Sequence, residues 1–295
     1  MIGFQGVIGW WMVASGLKDD LFAPGAHPRV SQYRLTAHLG AAFAVYLSML
    51  WSGLSILREH RLLRDPASAQ SLFAKLSSPP LRRFRVLTYA LFALTFTTAM
   101  SGALVAGLDA GLIYNEFPWM GLGLTPPKSE LFDNFYSHTP DASDLWWRNM
   151  LENPSLVQLD HRILATTTFT AICALWSLPR LSSRFGNAIL RSTEKGVDGV
   201  RKSLNGVLHL ALLQVTLGIS TLIYMVPTWL AAGHQAGALA LLTGVTILAS
   251  RLRISPRTMR LVREAAARQG AKTSSSKQGP AELKKVLGNV EQVVR

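Results

Sequence analysis

Six long apolar runs constrain this chain more than any other feature of its sequence. They cover about residues 1–17, 36–57, 84–107, 162–179, 204–226 and 230–250. Each is close to the roughly twenty residues that an α-helix needs to cross a bilayer. In a soluble protein such helices would carry a polar stripe, and these runs are apolar on all sides. The sequence therefore predicts an all-α, polytopic membrane helical bundle with six spans.

The composition agrees with a membrane protein. Charged residues make up 16% of the chain and hydrophobic residues 49%, whereas a typical soluble domain is about 25% charged. The single cysteine, Cys173, lies within an apolar run. One cysteine excludes an intramolecular disulfide framework.

The net charge of +13 is distributed unevenly along the chain. Basic residues are concentrated in three segments, at 58–85, at 180–202 and from 251 onward. In the long segment 108–160, by contrast, most of the charged residues are acidic. Short loops rich in Lys and Arg stay on the cytoplasmic or matrix side of a membrane. We therefore predict that the basic segments face inward and that 108–160 faces outward. We therefore interpret the positive net charge as an indication of membrane topology. No motif supports a nucleic-acid partner.

Seven histidines occur, and this topology separates them. Three are expected to be solvated in loops: His27, His60 and His138. His38, His161 and His234 each lie near the start of a helix that runs inward, so their imidazoles share the outer layer of the membrane. Ionisable side chains at such depth are costly and usually functional. His209 lies nearer the inner side, and we interpret it as a helix-interface residue.

An internal repeat connects two of these histidines. Its two copies comprise Gln5, Gly9 and His38, and then Gln214, Gly218 and His234. Each copy has Gln-x-x-x-Gly in one helix and a histidine early in the next, and duplicated bundles are common in membrane proteins. His161 and His234 then form a pair in the second half. By the same pattern His38 needs a partner from a helix before residue 1, so we expect the sequence to be a fragment.

Small residues follow each of the three histidines at helical neighbour positions. They are Ala41, Ala42, Ala165, Gly237 and Ala238. Such residues leave a flat space beside an imidazole, which suits a planar ligand such as a porphyrin. They also allow close helix packing, and Gly233 with Gly237 forms a GxxxG pair. Both interpretations stay open.

Metal chemistry favours haem for the pair formed by His161 and His234. Two neutral imidazoles on facing helices can be the axial ligands of haem iron, whereas zinc would require a third or fourth ligand. Arg162 is a candidate partner for a haem propionate. Asp160 is a candidate acceptor that orients an imidazole, or alternatively the cap of its helix.

The segment 106–121, AGLDAGLIYNEFPWMG, lies on the same side as these histidines. One hypothesis is a lid over a haem edge, with Asp109, Tyr114 and Asn115 near propionates. The alternative is a packed loop that connects two helices.

Several motifs together carry a resemblance to a known family. They are GWWMVASGL (9–17), VSQYRLTAHL (30–39), SGALVAGLDAGLIYNEFPWMG (101–121), VQLDHR (157–162), LQVTLGISTLIYMVP (213–227) and HQAGALALLT (234–243). The chain resembles the haem A synthase family, of the mitochondrial and alphaproteobacterial type, from residue 1 to about 250. Measured against that family it is N-terminally truncated.

The resemblance implies eight helices built as two four-helix halves. Residues 1–83 are the remainder of the N-terminal, substrate-haem half, and 84–250 form the C-terminal haem b half. His161 and His234 would bind the iron of haem b. His38 would serve the substrate haem as a catalytic residue, with its partner histidine and a glutamate missing upstream.

The implied reaction oxidises the C8 methyl of haem O to the formyl group of haem A for cytochrome c oxidase assembly. The fragment alone is expected to be inactive. The alternative function is a bis-histidine haem b protein that transfers electrons in the membrane.

The resemblance also implies partners and a location. The expected partners are haem O as substrate, a ferredoxin-type electron donor, haem O synthase, oxidase assembly factors and a second copy of the chain. The expected location is the mitochondrial inner membrane, with the C-terminus in the matrix. The basic tail, 251–295, is expected to be partly disordered, with either a basic helix at 257–269 on the inner surface or a solvated chain.

Overall fold

The computed structural model describes residues 2–17, 29–194 and 196–269. The secondary-structure elements among these residues are all helices. The helices are α1 (Ile2–Ala14), α2 (Gln32–Arg64), α3 (Pro66–Leu76), α4 (Pro79–Gly107), α5 (Lys128–Leu131), α6 (Leu145–Glu152), α7 (Pro154–Leu181), α8 (Ser183–Ile189), α9 (Val197–Ile223), α10 (Thr228–Arg251) and α11 (256–269). Short 3-10 turns cover Ala110–Leu112 and Asn134–Tyr136. The predicted fold class, an all-α membrane helical bundle, is confirmed.

The number of spanning helices differs from the prediction of six. Four helices among the described residues, α2, α4, α9 and α10, are long and apolar enough to cross a membrane. The helix α1 has 13 residues, which at 1.5 Å per residue falls short of the roughly 30 Å hydrocarbon core. The helix α7 has 28 residues, but its charged start and four threonines, at 166–168 and 170, lower its hydropathy.

Four helices, α4, α7, α9 and α10, pack on one another as a bundle. Their main apolar core includes Leu81, Phe84, Leu91, Ile172, Leu175, Val200, Leu204, Val207, Leu241, Val245 and Leu248. These residues lie in the part of the bundle nearer the basic segments, which we call its inner part, and we call the opposite part, nearer residues 108–160, its outer part. The helix α2 packs against α4 and α10, and α1 packs against α2. The histidine pair lies in the outer part of the same bundle.

The inner ends of the helices are held by side-chain contacts. The guanidinium of Arg58 on α2 donates to carbonyls at the C-terminus of α10, those of Ser250, Arg251 and Arg253. The last carbonyls of a helix have no partners within it, and a cation there also offsets the helix dipole. Val262 of α11 is buried against α3. The tail helix expected at 257–269 is therefore present, and 270–295 lie outside the described residues.

The start of α7 is set well before its apolar part. Asn153 caps the helix, because its side-chain oxygen accepts a hydrogen bond from the backbone N–H of Ser155 at 3.0 Å. Pro154 occupies the first helical position, where its missing N–H costs nothing. The amide of Asn153 also donates to the carbonyl of Glu130 at 2.6 Å. This anchor joins α7 to the outer loop two turns before His161.

Candidate functional site

The structure brings His161 of α7 and His234 of α10 together. Their ring centroids are 6.5 Å apart and the ring planes are nearly perpendicular, at 88°. A metal–imidazole bond is about 2 Å long, so two imidazoles on opposite sides of one metal ion have centroids about 6 Å apart. The observed centroid separation is close to this value, so the two imidazoles could hold one iron ion between them. The pairing of these two histidines was predicted from their shared layer and the repeat.

The space around each imidazole comes from a glycine on the neighbouring helix. A Cβ atom at Gly102 of α4 would lie 3.1 Å from Cε1 of His161. A Cβ atom at Gly218 of α9 would lie 2.8 Å from Cε1 of His234. Any larger residue at either position would displace the ring. These two glycines let the rings sit between adjacent helices.

The small residues on the histidine helices themselves have a different role. Gly237 faces the side chains of Gln214 and Leu217 on α9, and Gly233 also faces Leu217. The GxxxG pair therefore serves the packing of α10 against α9, as one of the two sequence interpretations held. The space beside Gly237 holds the amide of Gln214, which agrees with the packing interpretation.

Each imidazole of the pair has a polar neighbour on the adjacent helix. The hydroxyl of Ser101 lies 2.7 Å from Nδ1 of His161. The amide nitrogen of Gln214 donates to the backbone carbonyl of His234 at 2.9 Å and lies 3.5 Å from its Nε2. Sequence reasoning missed Ser101, and it identified Gln214 only as part of the repeat.

His38 repeats the arrangement of His234. The amide nitrogen of Gln5 donates to the carbonyl of His38 at 3.0 Å and lies 3.1 Å from its Nδ1. A Cβ atom at Gly9 would lie 2.9 Å from Cε1 of His38. In the part of the chain that the structure describes, no second histidine ring lies against His38. The two copies thus share the amide-to-carbonyl hydrogen bond and the glycine against Cε1, whereas Gln5 faces Nδ1 of its histidine and Gln214 faces Nε2.

Arg162 binds the outer loop. Its guanidinium donates to the backbone carbonyls of Tyr114, Glu116 and Trp119 at 2.8–3.0 Å. Its Nε is buried and has no partner among the described residues. A contact between Arg162 and a propionate therefore stays a prediction, and the observed role is to hold the loop over the end of α7.

Asp160 is half-buried and makes no hydrogen bond or ion pair within the described part of the chain. It is not the cap of α7, because that helix begins at Pro154 and Asn153 caps it. The proposed contact of Asp160 with an imidazole stays a prediction.

Three loop residues that were placed near propionates have protein partners instead. Asp109 pairs with Arg29, with 3.5 Å between Oδ2 and Nη2. The Tyr114 hydroxyl donates to Glu130 at 2.6 Å, and burial together with this carboxylate raises the pKa of Tyr114 to about 12. Asn115 donates to the carbonyls of Gly111 and Leu222. These contacts agree with the packed-loop interpretation of 106–121.

The other histidines lie apart from the pair. His209 is exposed on α9, so its interpretation as a helix-interface residue is wrong. His60 and His138 are exposed, and His27 lies outside the described residues. Across residues 2–17, 29–194 and 196–269, no group of three His, Cys, Asp or Glu side chains could hold a metal ion. The donor set around His161 and His234 is therefore two imidazoles, which suits haem iron better than zinc.

Comparison with known proteins gives a consistent family. Residues 1–246 match COX15-CtaA, described as a cytochrome oxidase assembly protein. A "Heme A synthase-mitochondrial ferredoxin fusion protein" of Schizosaccharomyces pombe is 50% identical over 256 residues, covering 85% of this chain and 40% of that protein. "Heme A synthase COX15" of Saccharomyces cerevisiae is 46% identical over 265 residues, covering 89% of this chain and 52% of that protein.

The human "Heme A synthase COX15" is 43% identical over 258 residues, covering 87% of this chain and 54% of that protein. The chain thus spans about half the length of the curated relatives it matches. No solved structure matches it. The family match covers most of the chain and includes every histidine of the site, so the chain belongs to the COX15-CtaA family of cytochrome oxidase assembly proteins.

Proposed function

We propose that the protein acts in haem A synthesis, as an oxidoreductase that converts the C8 methyl of haem O to the formyl group of haem A. The observation that carries this proposal is the pair formed by His161 and His234, 6.5 Å apart in the outer part of the bundle. The relatives named heme A synthase match 85–89% of the chain around this pair. The activity is that of the whole relatives, of which this chain spans about half the length.

The cofactor of this proposal is haem b, bound by His161 and His234. When bound, haem b supplies one-electron transfer, chemistry that side chains lack. His161 and His234 would hold the iron of that haem, and Gly102 and Gly218 leave the room in which the imidazoles lie. Ser101 holds Nδ1 of His161, which leaves Nε2 of that ring for iron.

The substrate site is proposed to involve His38, in the half formed by residues 1–83. The shared arrangement of Gln5, Gly9 and His38 supports this assignment, because it repeats the arrangement at His234. Residues 84–250 then form the haem b half. To match the other site, His38 would need a second imidazole beside it.

The proposed location is the mitochondrial inner membrane, with the C-terminus in the matrix. The concentration of Lys and Arg in the segments 58–85, 180–202 and from 251 onward supports this orientation. The relative fused to a mitochondrial ferredoxin supports a ferredoxin-type electron donor. Haem O synthase, oxidase assembly factors and a second copy of the chain are further proposed partners.

The first experiment tests haem binding. Purified protein is reduced with dithionite in alkaline pyridine, and its spectrum gives the type and amount of haem. We expect haem b in the parent protein and its loss in His161→Ala and in His234→Ala. The matched control is His209→Ala, which removes an exposed imidazole from the same bundle. Haem lost from the control, or absent from the parent protein, contradicts the site.

The second experiment tests the reaction. Cells lacking their own synthase receive the full-length protein or its His38→Ala variant, and haem A is extracted and quantified. We expect haem A from the parent protein and none from the variant. A parent protein that binds haem b and forms no haem A contradicts the proposed reaction and indicates an electron-transfer protein.

A further inference from the structure

A shallow crevice lies on the basic side of the molecule, apart from the histidine pair. It is formed by the inner end of α2, the C-terminus of α10 and the first turn of α11, and Arg58 and Arg253 are among its lining residues. Trp51 and Leu54 of α2 form an apolar wall of the same crevice. The crevice therefore combines guanidinium groups with an apolar surface at the place where α2 leaves the bundle.

Positive charge at this crevice exceeds negative charge. Arg58 and Arg251 lie close enough for their charges to repel each other, and so do Arg251 and Arg61. Arg253 adds a fourth guanidinium. Among the described residues that line the crevice, the carboxylate is that of Glu59, which already accepts a hydrogen bond from α11 at 2.8 Å.

The protein contacts of these cations leave most of their charge unbalanced. Arg58 donates three hydrogen bonds to carbonyls at the end of α10, which leaves two of its five N–H donors. The C-terminus of a helix supplies only about half a negative charge. Arg61 and Arg253 make no side-chain hydrogen bond or ion pair within the described part of the chain.

One further carboxylate, Asp198 of α9, attracts Arg251. It is already paired with Arg201 and with Lys202, whose Nζ lies 2.9 Å from its Oδ2. The excess positive charge is therefore not balanced by α9.

The surroundings favour a lipid as the source of the missing anion. Basic pockets between helices on the matrix or cytoplasmic side of a membrane bind the headgroups of anionic lipids. Trp51 lies seven residues before Arg58, which is about 10 Å along the helix axis. When the guanidiniums lie at the level of the headgroups, this tryptophan therefore lies near the edge of the hydrocarbon core, where tryptophan is enriched. An acidic protein segment would use the cations and gain nothing from the apolar wall.

We propose that this crevice binds one anionic phospholipid of the leaflet on the basic side. Its phosphate lies against the guanidiniums of Arg61 and Arg253, and one acyl chain lies along Trp51 and Leu54. Arg58 holds the ends of the helices and adds to the positive potential. The lipid then contacts both α2 and α10, so it stabilises the packing of these helices. This site is independent of haem binding and of the proposed function.

The test counts the phospholipids bound to the intact, full-length protein by native mass spectrometry. Phosphatidylglycerol, which is anionic, and phosphatidylcholine, which has no net charge, are added in equal amounts to the protein in a neutral detergent. We expect one phosphatidylglycerol to bind in preference to phosphatidylcholine. Arg61→Gln and Arg253→Gln should each lower this preference about fivefold, the effect of one arginine near an anionic lipid surface.

The matched control is Arg191→Gln, which removes the same charge from an exposed position outside the crevice and should leave the preference unchanged. Arg253→Lys keeps the charge and should retain the preference. Circular dichroism checks the fold of each variant, and the absence of protein contacts at Arg61 and Arg253 favours folding of both.

Two results would overturn the proposal. Equal binding of the two lipids, or an equal loss of preference in Arg191→Gln and Arg253→Gln, would show that the crevice has no specific role in lipid binding. Displacement of phosphatidylglycerol by free glycerol phosphate, or by a peptide of six aspartates, would show that the site recognises charge alone and would exclude a lipid held by its acyl chain.

Discussion

Glycine is the residue that decides where the three membrane histidines can lie. Each of three glycines, Gly9, Gly102 and Gly218, faces the Cε1 atom of one imidazole. A Cβ atom added at any of them would lie 2.8–3.1 Å from that Cε1 atom. Glycine within a helix costs about 0.5–1 kcal/mol relative to alanine. Glycine occurs at all three positions despite this cost, which indicates that the imidazoles require the space it leaves. The sequence repeat identified two of them, and Gly102 was not foreseen.

Two of the glycines of α9, Gly218 and Gly206, allow a matched test of this argument. Gly218→Ala should displace the His234 ring and weaken haem b retention about tenfold or more, as loss of ligand orientation does. Gly206→Ala adds the same methyl group where nothing lies within 4 Å. It should retain haem and raise the unfolding temperature, because alanine stabilises a helix by up to about 1 kcal/mol over glycine.

The measurement is haem content per protein and thermal unfolding for both variants. Equal haem retention in Gly218→Ala and Gly206→Ala would show that the ring tolerates a methyl group, and the packing argument would fail.

At the scale of the element, the sequence located the apolar parts of the helices and missed their ends. The second run was predicted at 36–57, and α2 extends over Gln32–Arg64. The fourth was predicted from 162, and α7 begins at Pro154. Charged and polar residues continue a helix outside the bilayer, where hydropathy no longer marks it. Helix boundaries therefore depend on caps such as Asn153.

The candidate site, too, could be predicted from the sequence only in part. His161 and His234 could be paired from the sequence because each lies near the start of an inward-running helix. Ser101 could not be found in this way, since its contact with His161 depends on how α4 is rotated about its axis. A helix that is apolar on all sides has no stripe that reveals this rotation.

The outer loop contains an element whose order should depend on pH. The carboxylate of Asp144 accepts hydrogen bonds from Ser137, the backbone of His138, Thr139 and Arg148, at 2.6–3.0 Å. These contacts, led by the Ser137 hydroxyl, hold the pKa of Asp144 well below its usual range. A depressed folded pKa means that the stabilisation is fully present above the unfolded value of about 4. It is lost as the pH falls through the folded pKa.

Hydrogen exchange of residues 133–152, corrected for intrinsic rates, measures this order. We expect protection to be constant from neutral pH to about pH 5 and to fall only below the unfolded pKa of about 4. Asp144→Asn should lose protection at every pH. The matched control, Asp141→Asn, changes an exposed carboxylate that bonds to Ser143 and should keep the loop ordered. Protection that declines between pH 7 and 5 would contradict this assignment.

At the scale of the whole molecule, the distribution of charge and the side-chain contacts distinguish the same two faces, one basic and one acidic. The basic side carries α3, α8 and α11, with Arg58 holding the end of α10. The other side carries the acidic loop, which Asn153 and Arg162 fasten to α7. The histidine pair lies nearer the second face. A ligand bound by this pair would therefore be reached from the acidic side of the membrane.

The orientation of the whole molecule can be tested with single cysteines. In a Cys173→Ser background, Ser129→Cys places a thiol in the acidic outer loop and Gln70→Cys places one on α3, both at exposed positions. If lysine- and arginine-rich loops stay on the matrix side, an impermeant maleimide added to intact mitoplasts should label Ser129→Cys alone. Gln70→Cys should be labelled only after the membrane is permeabilised. The reverse pattern would place the histidine pair in the matrix-facing layer and exclude the topology on which the site was predicted.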